Sequence, residues 1–131
     1  MSEYGFRNLI VWQKAKALAT DVYRLTNSES IKRDFSLIDQ MRRSAVSAPS
    51  NIAEGDERPS DKDSVRFFHI AKGSLAELAT QLEIARDVGY FTAVQVEPLI
   101  GQCVELGKML GALIRARSNA LPRTPSPKPR A

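Results

Sequence analysis

Cysteine, histidine and tryptophan occur once each in this chain of 131 residues, as Cys103, His69 and Trp12. A lone cysteine cannot close an intrachain disulfide, which suits a reducing compartment. Cys103 sits in an apolar helical stripe and reads as a core thiol rather than a nucleophile. The lone His69 cannot complete a Glu-x-x-His di-iron motif, because position 66 is Arg66, and no other metal-ligand cluster is visible. There is no Walker loop, no Gly-x-Ser-x-Gly elbow and no paired-carboxylate motif. Gly73 and Ser74 stand inside a helical pattern whose backbone donors are already used, so AKGSLAE is no phosphate cradle. These absences point away from an enzyme and imply no cofactor. No stretch approaches the roughly 18 apolar residues of a membrane span, and MSEYGFRN lacks the apolar core of a signal peptide. A cytoplasmic location with no membrane partner is expected.

Acidic residues are also missing from the last fifth of the chain. Residues 106–131 carry Lys108, Arg115, Arg117, Arg123, Lys128 and Arg130 without one acid, while the first 105 residues hold thirteen bases against fifteen acids. The net charge of +4 therefore belongs to the end of the chain, not to its body. Residues 119–131, with four prolines, lack the apolar surface that would offset ordering entropy, and are expected to form a disordered basic tail. Residues 1–118 should form one domain.

That domain reads as helix throughout. Val11, Ala15, Leu18, Val22 and Leu25 recur at spacings of four and three, predicting a helix from about Asn8 to Thr26. A second helix, from about Ser36 to Asp56, turns Ile38, Met41, Ala45, Ala48 and Ile52 to one side and continues in phase through Pro49, so it should bend rather than end. The loop EGDERPSDKD follows, with Ser60 as the cap of a third helix. Phe68, Ala71, Leu75, Leu78, Leu82 and Ala85 give that helix a heptad seam ending at Gly89. Thr92 and Gln95 form a capping-box signature for a fourth helix, with Val96, Leu99, Cys103, Leu106, Leu110 and Leu113 along its seam. Four helices with short connections specify an all-α, antiparallel up-down four-helix bundle.

Two polar faces remain. On helix two, Arg43, Ser47, Ser50, Asn51 and Glu54 read as a polar network within the chain or between subunits. Arg43 and Glu54 stand eleven residues apart, about 16 Å along a helix axis, so each should need a partner from another helix or chain. On helix three, Lys62, Arg66, His69, Gly73, Ala76 and Thr80 lie opposite the seam. A mid-helix glycine costs about 1 kcal/mol relative to alanine, and close contact with a neighbouring helix would account for Gly73.

Three ordered motifs carry a resemblance: LIVWQKA (residues 9–15), the proline helix QMRRSAVSAPSNIAEG (40–55) and AKGSLAELATQLEIARDVGY (71–90). With these the chain resembles the four-helix-bundle proteins encoded within intervening sequences of bacterial 23S rRNA genes, relatives of the accessory variability protein of diversity-generating retroelements. The connector NSESIKRDFS lacks the proline that many relatives carry after the first helix, so a different first turn is expected. The resemblance implies a homo-oligomer, a homopentameric ring, with basic surface for nucleic acid and a reverse transcriptase as the kind of protein partner its relatives engage. The leading expectation is a non-enzymatic, RNA-binding or ribonucleoprotein-associated module, its contacts made by Arg115, Arg117, Arg123, Lys128 and Arg130, with Lys62 and Arg66 as a second site. DNA is the other nucleic-acid candidate, and a protein-binding scaffold is the alternative function. Trp12 and Phe68 fall on core stripes and are not expected to stack on bases.

Overall fold

The computed structural model describes residues 5–119. After a 3₁₀ turn at Gly5–Asn8, four α-helices follow: α1 (Ile10–Thr26), α2 (Phe35–Glu57), α3 (Asp61–Asp87) and α4 (Ala93–Asn119). Their ends are set by local chemistry. Asp34 caps α2 by accepting from the Leu37 N–H at 3.0 Å, and Ser60 caps α3 by accepting from the Asp63 N–H at 3.3 Å. Gly89, at φ +90°, ends α3. Its N–H donates to the Arg86 carbonyl at 3.0 Å and that of Tyr90 to the Ala85 carbonyl at 2.9 Å, which satisfies two otherwise orphaned acceptors. At the next helix the capping box closes both ways: the Gln95 N–H donates to Thr92 Oγ1 at 3.3 Å, and the Thr92 N–H to Gln95 Oε1 at 2.9 Å.

Helices adjacent in sequence pack side by side and α4 closes onto α1, whereas no Cα pair between diagonal helices lies within 8 Å. The bundle is antiparallel and up-down. At one end, Arg117 near the close of α4 reaches Asp56 near the close of α2 and Asp61 at the start of α3. At the other end, the Tyr90 hydroxyl between α3 and α4 donates to Asp34 Oδ2 at 2.8 Å. That hydrogen bond, followed by burial and the charge of Asp34, raises the phenol pKa.

The core holds Leu18, Val22, Met41, Ile52, Phe68, Leu75, Leu78, Leu82, Val96, Leu106 and Leu110, all essentially inaccessible. Every stripe residue predicted for α3 is buried. Trp12 packs against the core from its edge, 5.1 Å from the Phe6 ring. Pro49 stands inside α2, which runs on for two further turns to Glu57. Gly55 lies within this helix, and there it has a steric role. A Cβ at Gly55 would lie 2.6 Å from Phe68 Cε1 and 3.1 Å from the Ser64 carbonyl oxygen. The Gly55 carbonyl in turn accepts from Ser64 Oγ at 2.6 Å, so α2 and α3 meet here backbone to backbone.

Candidate nucleic-acid interface

Seven of the sixteen bases in the described residues are paired with an acid on their own helix or across a helix pair. Lys14 meets Glu105, Arg24 meets Asp21, Lys32 meets Glu29, and Arg86 lies among Glu83, Asp87 and Glu97. The expectation that Arg43 and Glu54 need partners from another helix is incorrect. Arg43 Nε lies 3.7 Å from Asp39 and Arg58 Nη2 lies 2.8 Å from Glu54, both i,i+4 pairs on α2 itself. A solvated helix face supplies such pairs at no cost in fold geometry.

Ser47 and Asn51 do form a network within the chain. Asn51 Nδ2 donates to the Ser47 carbonyl at 2.8 Å and to Ser47 Oγ at 3.0 Å. Ser74 Oγ donates to the Ile70 carbonyl at 3.1 Å, so its single proton is used, and Ser47 is the donor in the 2.7 Å bond between the two hydroxyls. The network joins α2 to α3.

Gly73 makes no close contact within the single chain: a Cβ there would meet nothing within 4 Å. Ala76 and Thr80 are likewise exposed, and Thr80 donates only to the Ala76 carbonyl of its own helix at 2.9 Å. The face predicted to be covered by a neighbouring helix is bare in the single chain. Closely apposed helices did require a glycine, but at Gly55.

Arg117 is already committed. It bonds Asp56 at 3.1 Å and Ser64 Oγ at 3.4 Å, approaches Asp61 at 3.8 Å and lies over the Phe68 ring at 5.5 Å, with its side chain 26% exposed. It fastens the end of α4 to the α2–α3 turn and is not free to meet a phosphate. Arg123, Lys128 and Arg130 lie outside the described residues.

Of the eight exposed bases without an acidic partner among the described residues, five lie on α3 and α4, the others being Arg7, Lys16 and Arg33. Lys62, Arg66, Lys72, Lys108 and Arg115 are exposed, and none has a carboxylate within ion-pair distance among the described residues. Arg66 and Arg58 both lie on the Phe67 ring, at 4.6 and 4.5 Å. Between α3 and α4 runs an open groove of about 410 Å³, rimmed by Lys72, Lys108 and Arg115 and lined by apolar or small residues, with no acid. Sequence reasoning found Arg115 but missed Lys72 as its partner, although Lys108 and Arg115, seven residues apart, already marked one face of α4. No aromatic ring lines the groove, and the most exposed ring among the described residues, Phe35 at 79%, stands at the start of α2. Phe68 and Phe91 are buried, Tyr23 is covered by Arg42 at 4.6 Å, and Trp12 has Lys16 and Phe6 against it.

The groove brings Lys72, Lys108 and Arg115 together with no acid in its lining. Among the described residues no three His, Cys, Asp or Glu side chains converge as metal ligands. Cys103, in the groove wall, is buried, and burial pushes its thiol pKa up to about 12.

The family model for 23S rRNA-intervening sequence proteins matches residues 7–112. The chain belongs to that family. It is also similar to a solved crystal structure, that of a protein of unknown function from the S23 ribosomal protein family of Bacteroides thetaiotaomicron. The likeness is 26% in sequence, covers 81% of this chain and 99% of that one, and gives a TM-score of 0.75. No curated protein matches the chain. No helix among the described residues of this family member is long and apolar enough to cross a membrane.

Proposed function

We propose that this protein is a cytoplasmic, non-enzymatic RNA-binding module that works as a homo-oligomer, a ring of five by family resemblance, and contacts RNA through the α3–α4 face. The observation that carries the reading is the segregation of unpaired charge. Lys62, Arg66, Lys72, Lys108 and Arg115 stand on α3 and α4 without acids, three of them on the groove rim, while seven of the eleven described bases elsewhere are paired. Unpaired cations on one face leave a field that attracts a polyanion. Arg123, Lys128 and Arg130 follow α4 in sequence and add to it. The bare ridge of Gly73, Ala76 and Thr80 on α3 supports self-association, since small side chains let a second helix approach closely.

The test is the salt dependence of binding to a single-stranded oligoribonucleotide. A chain ending at residue 119 retains the five bases, so its log-log slope should be no steeper than about −3.5, at about −0.7 per neutralised phosphate. The full chain should be steeper. Charge reversal at Lys108 and Arg115 together should lower affinity and flatten the slope, whereas Arg24→Glu on α1 should not. Absence of binding at low salt by the full chain would replace this reading with a protein-binding scaffold.

A further inference from the structure

Lys72 and Arg115 are 43 positions apart in sequence, yet their charged ends converge over a single glycine. A Cβ built on Gly111 would lie 3.5 Å from Arg115 Nη1 and 3.8 Å from Lys72 Nζ, with no other heavy atom nearer. The space above Gly111 is therefore faced by two cationic groups within reach of one oxyanion, with Lys108 a third base on the same rim. Like charges brought together repel, and here no carboxylate offsets them. A doubly charged oxyanion in that space would relieve the repulsion through charge-assisted hydrogen bonds.

The rest of the groove narrows the ligand. Leu75, Ala79, Val104 and Gly107 line it, with Cys103 held as a neutral thiol by burial. An anionic head at Gly111 thus adjoins an apolar, open-sided bed of about 410 Å³, room for a planar ring system rather than a deep slot for a flexible chain. An internal phosphodiester carries one negative charge and continues into backbone on both sides. A phosphomonoester carries about −1.5 to −2 at pH 7 and presents three oxygens from one end.

From this convergence we propose that the α3–α4 groove is a subsite for a terminal nucleotide of RNA bearing a phosphomonoester. The phosphate sits between Lys72 and Arg115 above Gly111 and the base lies along Ala79 and Val104. The inference rests on the RNA-binding reading and adds that the protein recognises a strand end. Gly111 is glycine because a side chain would occupy the oxyanion's place.

The experiment compares three otherwise identical decaribonucleotides: 5′-phosphorylated, 3′-phosphorylated and hydroxyl-ended at both termini. Each is titrated by fluorescence anisotropy into the full chain at one salt concentration. One phosphorylated end should bind about tenfold more tightly than the hydroxyl-ended strand, and which one identifies the end that docks. Gly111→Ala should bring that ratio close to one. Alanine is the better helix former and its Cβ meets both nitrogens at ordinary contact distance, so the variant should keep its helicity and melting temperature. Arg115→Gln, which leaves the backbone untouched, should also reduce the ratio. Equal affinity for all three strands, or a preference that survives Gly111→Ala in a folded variant, overturns the subsite while leaving general RNA binding in place. If none of the three binds, the underlying RNA reading fails with it.

Discussion

Replacing Gly55 with alanine tests the α2–α3 contact most directly, and the comparison with Gly101→Ala isolates it. Both glycines lie in helices, so both substitutions gain helix propensity: about 1 kcal/mol at mid-helix Gly101, and less at Gly55, two residues from the end of α2. Their surroundings differ. A Cβ at Gly101 meets nothing within 4 Å, whereas at Gly55 it falls 2.6 and 2.9 Å from two ring carbons of Phe68 and 3.1 Å from the Ser64 carbonyl. Phe68 is fully buried and the carbonyl belongs to the α3 backbone, so neither can move without disturbing the core. Overpacking of this kind costs about 1 to 3 kcal/mol. Gly101→Ala should therefore be more stable than the parent, and Gly55→Ala less stable than Gly101→Ala by about 2 kcal/mol. Urea denaturation followed by far-ultraviolet circular dichroism would read this as opposite shifts in midpoint at a common m-value. If Gly55→Ala matches Gly101→Ala, α2 and α3 do not approach as described, and the steric account of Gly55 is wrong.

Arg117→Ala should destabilise the fold by about 2 kcal/mol, since it leaves the Asp56 carboxylate, 15% exposed, without its cation. Its effect on RNA affinity should be smaller than that of Arg115→Ala, read by anisotropy on both folded variants. Gly73→Leu should leave the monomer's melting behaviour little changed, because the site is open, but should disrupt the homo-oligomer in light scattering; unchanged assembly would make that ridge a free surface. Cys103 should resist iodoacetamide at pH 8 until the chain is unfolded, as its thiol is buried with a pKa near 12. Because that pKa is raised above the ordinary 9.0, the folded state holds the proton more tightly. The contribution to stability is complete below about pH 9 and is lost as pH rises toward 12, a trend that Cys103→Ala should abolish.

The caps and stripes were legible because they are local. Ser60, Thr92 with Gln95, and Gly89 act on backbone groups within a few residues of themselves, and the three-four spacing of Phe68 through Ala85 decides which side of α3 is buried whatever it packs against. The continuation of α2 through Pro49 was legible for the same reason: the apolar pattern stays in phase across it, and α2 continues to Glu57. The sequence alone therefore determined an all-helical bundle, its seams and a basic C-terminal segment. Which glycine lies at a helix contact depended on how closely α2 and α3 approach, and that distance is set by Phe68 across the interface, not by residues near Gly55 or Gly73. Whether a base is free depended on what the bundle brings beside it. Arg117 is taken up by Asp56, 61 positions earlier, while Lys72 and Arg115 meet because antiparallel packing sets one turn of α3 against one turn of α4. Charge and helical phase are properties of each segment. The register between segments is a property of the packed core, and the groove rimmed by Lys72, Lys108 and Arg115 exists only there.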